Sequence, residues 1–148
     1  MTPYLDAGFL LTLLVPTNAR GLANELIRRA EAPFALNFLH QLQAENLLAR
    51  MERSAVADRQ AAGRAGRGLW RQYLAEGVFN VLPVAWNSAF QVAIAWNEHH
   101  SAVPPPHLLL LHPALAALSG ASEFLSFEPR SRAVARAVGL RVLPEQLN

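Results

Sequence analysis

The sequence has no cysteine and no lysine, and only two of its 11 acids, Asp6 and Asp58, are aspartates. Without cysteine there is no disulfide scaffold, zinc ribbon, thiol nucleophile or thiolate iron–sulfur site, and a cytoplasmic setting is the expectation. Without lysine all 13 basic residues are arginine, so the formal charge is only +2 although the pI is about 9.9. Charged residues are scarce at 16% against 52% apolar, the reverse of a disordered segment. The apolar run Phe9 to Val15 falls far short of the roughly 20 residues of a membrane span. It is read as core, with no membrane partner expected. A chain of 148 residues suffices for one compact domain, residues 1–148, and is too short for two ordinary ones.

The apolar pattern alternates between strand-like and helix-like segments. Pro3-Tyr4-Leu5 reads as a short buried strand that delivers Asp6 to the start of a helix, which Pro16 stops. Leu22, Ala23, Leu26, Ile27 and Ala30 mark one face of a second helix, and Phe34-Ala35-Leu36 a second strand. From Phe38 the stripe Phe38, Leu42, Glu45 and Ala49 places a glutamate where an apolar residue is expected. Ser54 to Arg67 reads as an alanine-rich helix loosened by Gly63, Gly66 and Gly68. Val78 to Leu82 is extended, and Trp86, Ala89, Phe90, Ala93 and Ile94 form the face of a further helix. Leu108 to Leu118 is apolar nearly all round, with Pro113 acceptable if the helix starts near Leu110. Then come the strand Glu123 to Ser126, the helix Pro129 to Val138 and the strand Leu140 to Leu143, with Gly120 and Gly139 as helix caps. This alternation predicts an α/β fold of three layers, α/β/α, around a mostly parallel sheet.

Ligands of open parallel sheets bind beyond the carboxyl ends of the strands. Asp6 and Glu128 follow predicted strands, and Glu45 lies about two helical turns after another, so three carboxylates are expected to converge at one end of the sheet. Oxygen ligands without thiolates suit a hard cation, Mg²⁺ or Mn²⁺. Each acid has another reading: Asp6 as a helix N-cap, Glu128 as a favourable charge at the start of the helix from Pro129, Glu45 as a group that reaches solvent. Between Arg50 and Arg71 six arginines face two acids, a patch suited either to phosphates or to a solvated helix face.

Tyr4-Leu5-Asp6-Ala7-Gly8-Phe9-Leu10-Leu11, the Glu45 helix, the segment Leu109 to Glu128 with His112-Pro113 and Ser126-Phe127-Glu128, and the closing Ala133 to Leu143 together resemble a PIN domain. The resemblance spans essentially the whole chain. It implies a nuclease fold in which Asp6, Glu45 and Glu128 bind Mg²⁺ or Mn²⁺ and hydrolyse RNA, as in the VapC-like toxins of toxin–antitoxin pairs. Ser126 matches a polar position beside them and, with Arg64, Arg67 and Arg71, is expected to meet nucleic acid. Two departures are visible. Leu109 stands where the family has a central metal-binding aspartate, and Ala7-Gly8 replaces a Thr or Ser pair. The expectation is therefore a degenerate member with weak or absent metal binding, acting by binding RNA or a partner protein such as an antitoxin. The alternatives are an active endoribonuclease, with water or an unaligned acid such as Glu123 replacing the missing ligand, and a structural homo-oligomer.

Other signals are read as structural. Gly63-x-x-Gly66-x-Gly68 follows a helix and so lacks the context of a phosphate loop. His99, His100, His107 and His112 are taken as surface or packing residues, and Trp70, Trp86 and Trp96 as core or interface.

Overall fold

The computed structural model describes residues 2–100 and 107–147, with side chains for 2–96 and 110–147. In chain order the elements are β1 (Tyr4–Leu5), α1 (Ala7–Leu14), α2 (Arg20–Arg29), β2 (Phe34–Leu36), α3 (Phe38–Glu52), α4 (Ala57–Ala75), β3 (Phe79–Val81), α5 (Trp86–His100), α6 (His107–Leu118), β4 (Glu123–Leu125), α7 (Pro129–Ala137) and β5 (Arg141–Leu143). The five strands form one sheet in the order β3-β2-β1-β4-β5, and every pairing is parallel. The order reverses at β1, so Asp6 lies at the switch point where α/β sheets place their ligands.

Strand alternation sorts the core into two halves. Leu5, Leu36 and Leu125 pack with Phe9, Leu10 and Leu13 of α1 and Leu48 of α3 on one face. Tyr4, Ala35, Phe124 and Val142 pack with Leu111 and Leu115 of α6 and Ala135 of α7 on the other. Successive strand residues are thus buried on opposite sides, which is why these strands read as short continuous apolar runs. The three-layer α/β/α reading holds, with the sheet parallel throughout.

Local expectations are corrected on four helices. α4 runs without a break from Ala57 to Ala75, and its glycines serve as contact points instead of loosening it. A Cβ on Gly63 would come within 2.8 Å of Met51 Cβ, and one on Gly66 within 2.7 Å of the Leu14 carbonyl oxygen and 2.8 Å of Leu48 Cδ2. Only residues without side chains let α4 lie this close to α1 and α3. On α3 the buried face is His40, Ala44, Leu48 and Met51; Phe38 and Leu42 of the expected apolar stripe are 67% and 59% exposed. Phe90 and Ile94 of α5 likewise face outward, leaving Ala89 and Ala93 as its buried contacts. Finally, α6 starts at His107, so Pro113 lies inside it and not in its first turn. Burial of Leu110, Leu111, Ala114 and Leu115 offsets the roughly 3 kcal/mol that an interior proline costs a helix.

The glycine contacts predict opposite outcomes two residues apart. Gly66→Ala should lower stability by about 1–3 kcal/mol through overpacking. Gly68→Ala, with nothing within 4 Å of the added methyl group, should raise it by about 0.5–1 kcal/mol through helix propensity. Urea unfolding of the two variants checks this; equal effects would mean that α4 does not sit as described.

Candidate functional site

The site is built from the ends of β1 and β4. Asp6 leaves β1 with extended backbone angles and caps α1, its Oδ1 accepting a hydrogen bond from the Phe9 amide at 2.7 Å. Its backbone amide continues the sheet by donating to the Leu125 carbonyl at 2.9 Å. Oδ2 accepts from the Ser126 hydroxyl at 2.5 Å, and the Ser126 oxygen in turn accepts from the Glu128 amide at 3.0 Å. Glu128 caps α7, its Oε2 accepting from the Ser131 amide at 2.6 Å. Behind them the buried Arg132 donates to the Ser126 carbonyl at 2.7 Å and to the Pro144 carbonyl at 2.5 Å, which pins the ends of β4 and β5 together. Asp6 and Glu128 are therefore both helix caps and neighbours, linked by one serine.

Asp6 is only 4% exposed. Burial pushes its carboxyl up from 3.8 to about 6, aided by the Glu128 charge and opposed by the hydrogen bonds from Ser126 and Phe9. Ser126, expected to meet nucleic acid, is completely enclosed, and its hydroxyl is taken up inside the protein by Asp6 and Glu128. It positions the acids.

Glu45 does not join them. It lies on the exposed face of α3, where Arg67 Nη1 donates to its Oε2 at 2.5 Å. The same guanidinium grips Glu52 with two bonds, Nε to Oε1 at 2.7 Å and Nη2 to Oε2 at 3.0 Å. The cause is the close approach at Gly63 and Gly66, which carries Arg67 across the end of α3. Hydrogen bonding to Arg67 holds the Glu52 carboxyl below its ordinary range, and the Arg64 and Arg71 charges add to this. Of the three arginines expected to meet phosphate, Arg67 thus has its charge answered by two carboxylates. Arg64 is exposed and bonds Gln60, and Arg71 is exposed.

The three acids are accordingly divided in their bonding, Asp6 with Glu128 through Ser126 and Glu45 with Arg67. Among the described residues no three His, Asp or Glu side chains are placed to hold one metal ion. Mg²⁺ bound through protein carboxylates needs donors that converge at about 2 Å from a common centre. Here two acids point at helix amides and the third at an arginine, so the described donor set as arranged does not fit that ion. The Leu109 side chain, which bears on the same question, lies outside the described residues, as do those of His99, His100 and His107.

A second polar cluster, gathered around Tyr4 of β1, is not expected from the sequence as a group. Asn37, at the end of β2, caps α3 with a capping box completed by His40. His40 Nε2 donates to the Leu5 carbonyl at 2.7 Å. The Asn37 amide group donates to the Tyr4 hydroxyl at 3.2 Å, Tyr4 donates to His112 Nδ1 at 3.0 Å, and His112 Nε2 donates to Gln43 at 3.1 Å. Burial holds His40 down at about 4, against the pull of the Leu5 carbonyl, and burial together with the His40 ring keeps His112 well below its ordinary value. Both imidazoles stay neutral. The sequence signal was the stripe His40, Ala44, Leu48, Met51, which is one residue-type away from a plain apolar face.

Compared with protein-family models and with curated proteins, the sequence matches none. No helix among the described residues is long and apolar enough to cross a membrane.

The Asp6 environment predicts a pH-dependent stability difference. Because its folded value of about 6 lies above the ordinary 3.8, Asp6 favours the folded state fully below pH 3.8, and that contribution is lost as pH rises through 6. Asp6→Asn keeps the capping oxygen and avoids the buried charge. It should therefore be more stable than wild type by about 1–3 kcal/mol at pH 7.5, a gap that closes near pH 4. The two histidines cancel, since both proteins carry them. Urea midpoints at the two pH values decide the matter, and a variant equally destabilised at both would show that Asp6 is not held as described.

Proposed function

We propose that the chain is a PIN-like domain that has kept the fold and one linked acid pair while losing the ligand set of an efficient nuclease, and that it acts by binding. The observation that carries this reading is the split of the three acids: Asp6 and Glu128 joined through Ser126, Glu45 held away by Arg67. The three-layer fold with an acid directly after β1 supports the resemblance, and the leucine at 109 supports its degenerate form.

A protein is the favoured ligand, either a second copy of the chain or an antitoxin-like partner. Phe38 and Leu42 on α3, and Phe90 and Ile94 on α5, are pairs one turn apart and mostly exposed, which suits helix-to-helix contact. RNA is the second reading, carried by Arg64 and Arg71. The two differ in salt response. Contact through apolar helices survives high salt, whereas phosphate binding weakens as released counterions are opposed. Light scattering at 0.05 and 0.5 M salt should show an assembly that persists and that Phe38→Asp with Leu42→Asp disrupts. A monomer that binds RNA only at low salt, and loses it on charge reversal of Arg64 and Arg71, would favour the RNA reading.

Catalytic loss is tested at 109. Wild type should show no RNA cleavage that depends on both Mn²⁺ and Asp6, using Asp6→Asn as control. Leu109→Asp should bind Mn²⁺ more tightly by calorimetry. Asp6-dependent cleavage by wild type would make the protein an active endoribonuclease, and a folded Leu109→Asp that binds metal no better would refute the alignment at that position.

A further inference from the structure

A recess of about 150 Å³ opens between the β1–β2 part of the sheet, the segment Leu82 to Ala85 and the end of α6. Leu82, Val84, Leu115 and Leu118 supply apolar walls, and Tyr4 and Asn37 close one end. Among the described residues none that carries a charge lines it, and burial pushes the Tyr4 phenol up, so that end stays neutral. We infer that this recess binds a small, neutral, largely apolar molecule of about one six-membered ring that carries a single hydrogen-bond acceptor.

Each part of that description follows from the lining. An apolar cavity of about 150 Å³ takes up a molecule the size of benzene, so a nucleotide or a peptide does not fit inside. The absence of charge excludes phosphates and carboxylates, whose desolvation nothing there would offset. The hydrogen-bond inventory selects the acceptor. The Tyr4 hydroxyl is already a donor to His112, and the Ser119 hydroxyl donates to the Ala116 carbonyl. Asn37 Nδ2 has two protons and gives one to Tyr4, which leaves one donor at the polar end. Apolar side chains beside a few polar groups, here Tyr4, Asn37 and Ser119, are the usual make-up of a small-molecule site. The site is lined by Tyr4 and not by Asp6, Ser126 or Glu128, and it does not depend on RNA, metal or the family reading.

Cyclohexanone is a suitable probe, with methylcyclohexane as the match lacking an acceptor. In ¹H–¹⁵N spectra of the full chain, cyclohexanone should give saturable shifts of the Asn37 side-chain amide. Methylcyclohexane should bind about 3–10-fold more weakly if the missing hydrogen bond has its usual net worth. Leu118 is half-exposed, so Leu118→Trp can cover the mouth without disturbing the core, and it should weaken cyclohexanone at least about tenfold, the loss expected from excluding a buried apolar ligand. Leu115→Phe, which fills the recess, should do the same where its spectrum shows a folded protein. Shifts that never saturate, or that are unchanged in Leu118→Trp, would overturn the site. Saturable shifts of the same amide by inorganic phosphate or AMP would overturn the assigned ligand class.

Discussion

Much of this molecule hangs on one carboxylate removed from water. Asp6 joins three elements at once: its amide extends the β1–β4 pairing, one oxygen caps α1, and the other accepts a hydrogen bond from the Ser126 hydroxyl beyond β4. β1 has only two residues, so the centre of the sheet has little ladder of its own. The side-chain bonds at its end make up the deficit. Arg132 repeats the device one layer back by binding the carbonyls after β4 and β5. The cost is a charge buried near neutral pH, and such an expense at a sheet switch point is the kind of feature that functional sites carry.

The second constraint is steric. Two glycines on α4 allow it to lie against α1 and α3 closely enough for Arg67 to reach both Glu45 and Glu52. Packing thereby decides electrostatics: the same close approach that completes the core takes one acid out of the site and answers one arginine of the basic segment. With side chains 21% to 49% exposed, this network is partly screened by solvent, so its worth lies more in orienting three side chains than in stability.

Around Tyr4 polar groups are buried in a chain. Tyr4, Asn37, His40, His112 and Gln43 each find a partner, which spares the roughly 1–3 kcal/mol that an unsatisfied buried polar atom costs. This chain ties α3 and α6 to β1, and its Tyr4 and Asn37 also line the recess beside Leu82 and Leu115. The acid pair and the recess therefore both adjoin one short strand, Asp6 at its carboxyl end and Tyr4 within it.

Sequence alone determined the alternation of strands and helices, the caps at Asp6, Gly120 and Gly139, and the placement of Asp6 and Glu128 after strands, because these depend on residues within one or two turns of each other. On α3 the apolar period alone points to the outward face, because Phe38 and Leu42 satisfy it as well as His40, Ala44 and Leu48 do, and hydrophobicity ranks a buried histidine below an exposed phenylalanine. Which of two equal stripes turns inward is settled by what lies opposite, here the Leu5 carbonyl that His40 Nε2 requires. The partner of Glu45 was out of reach for the same reason: Arg67 is 22 residues away, and only the contact of two helices at glycines brings it near. Local chemistry decides elements and caps; which charges neutralise one another is a property of packing, and only the tertiary structure supplies it.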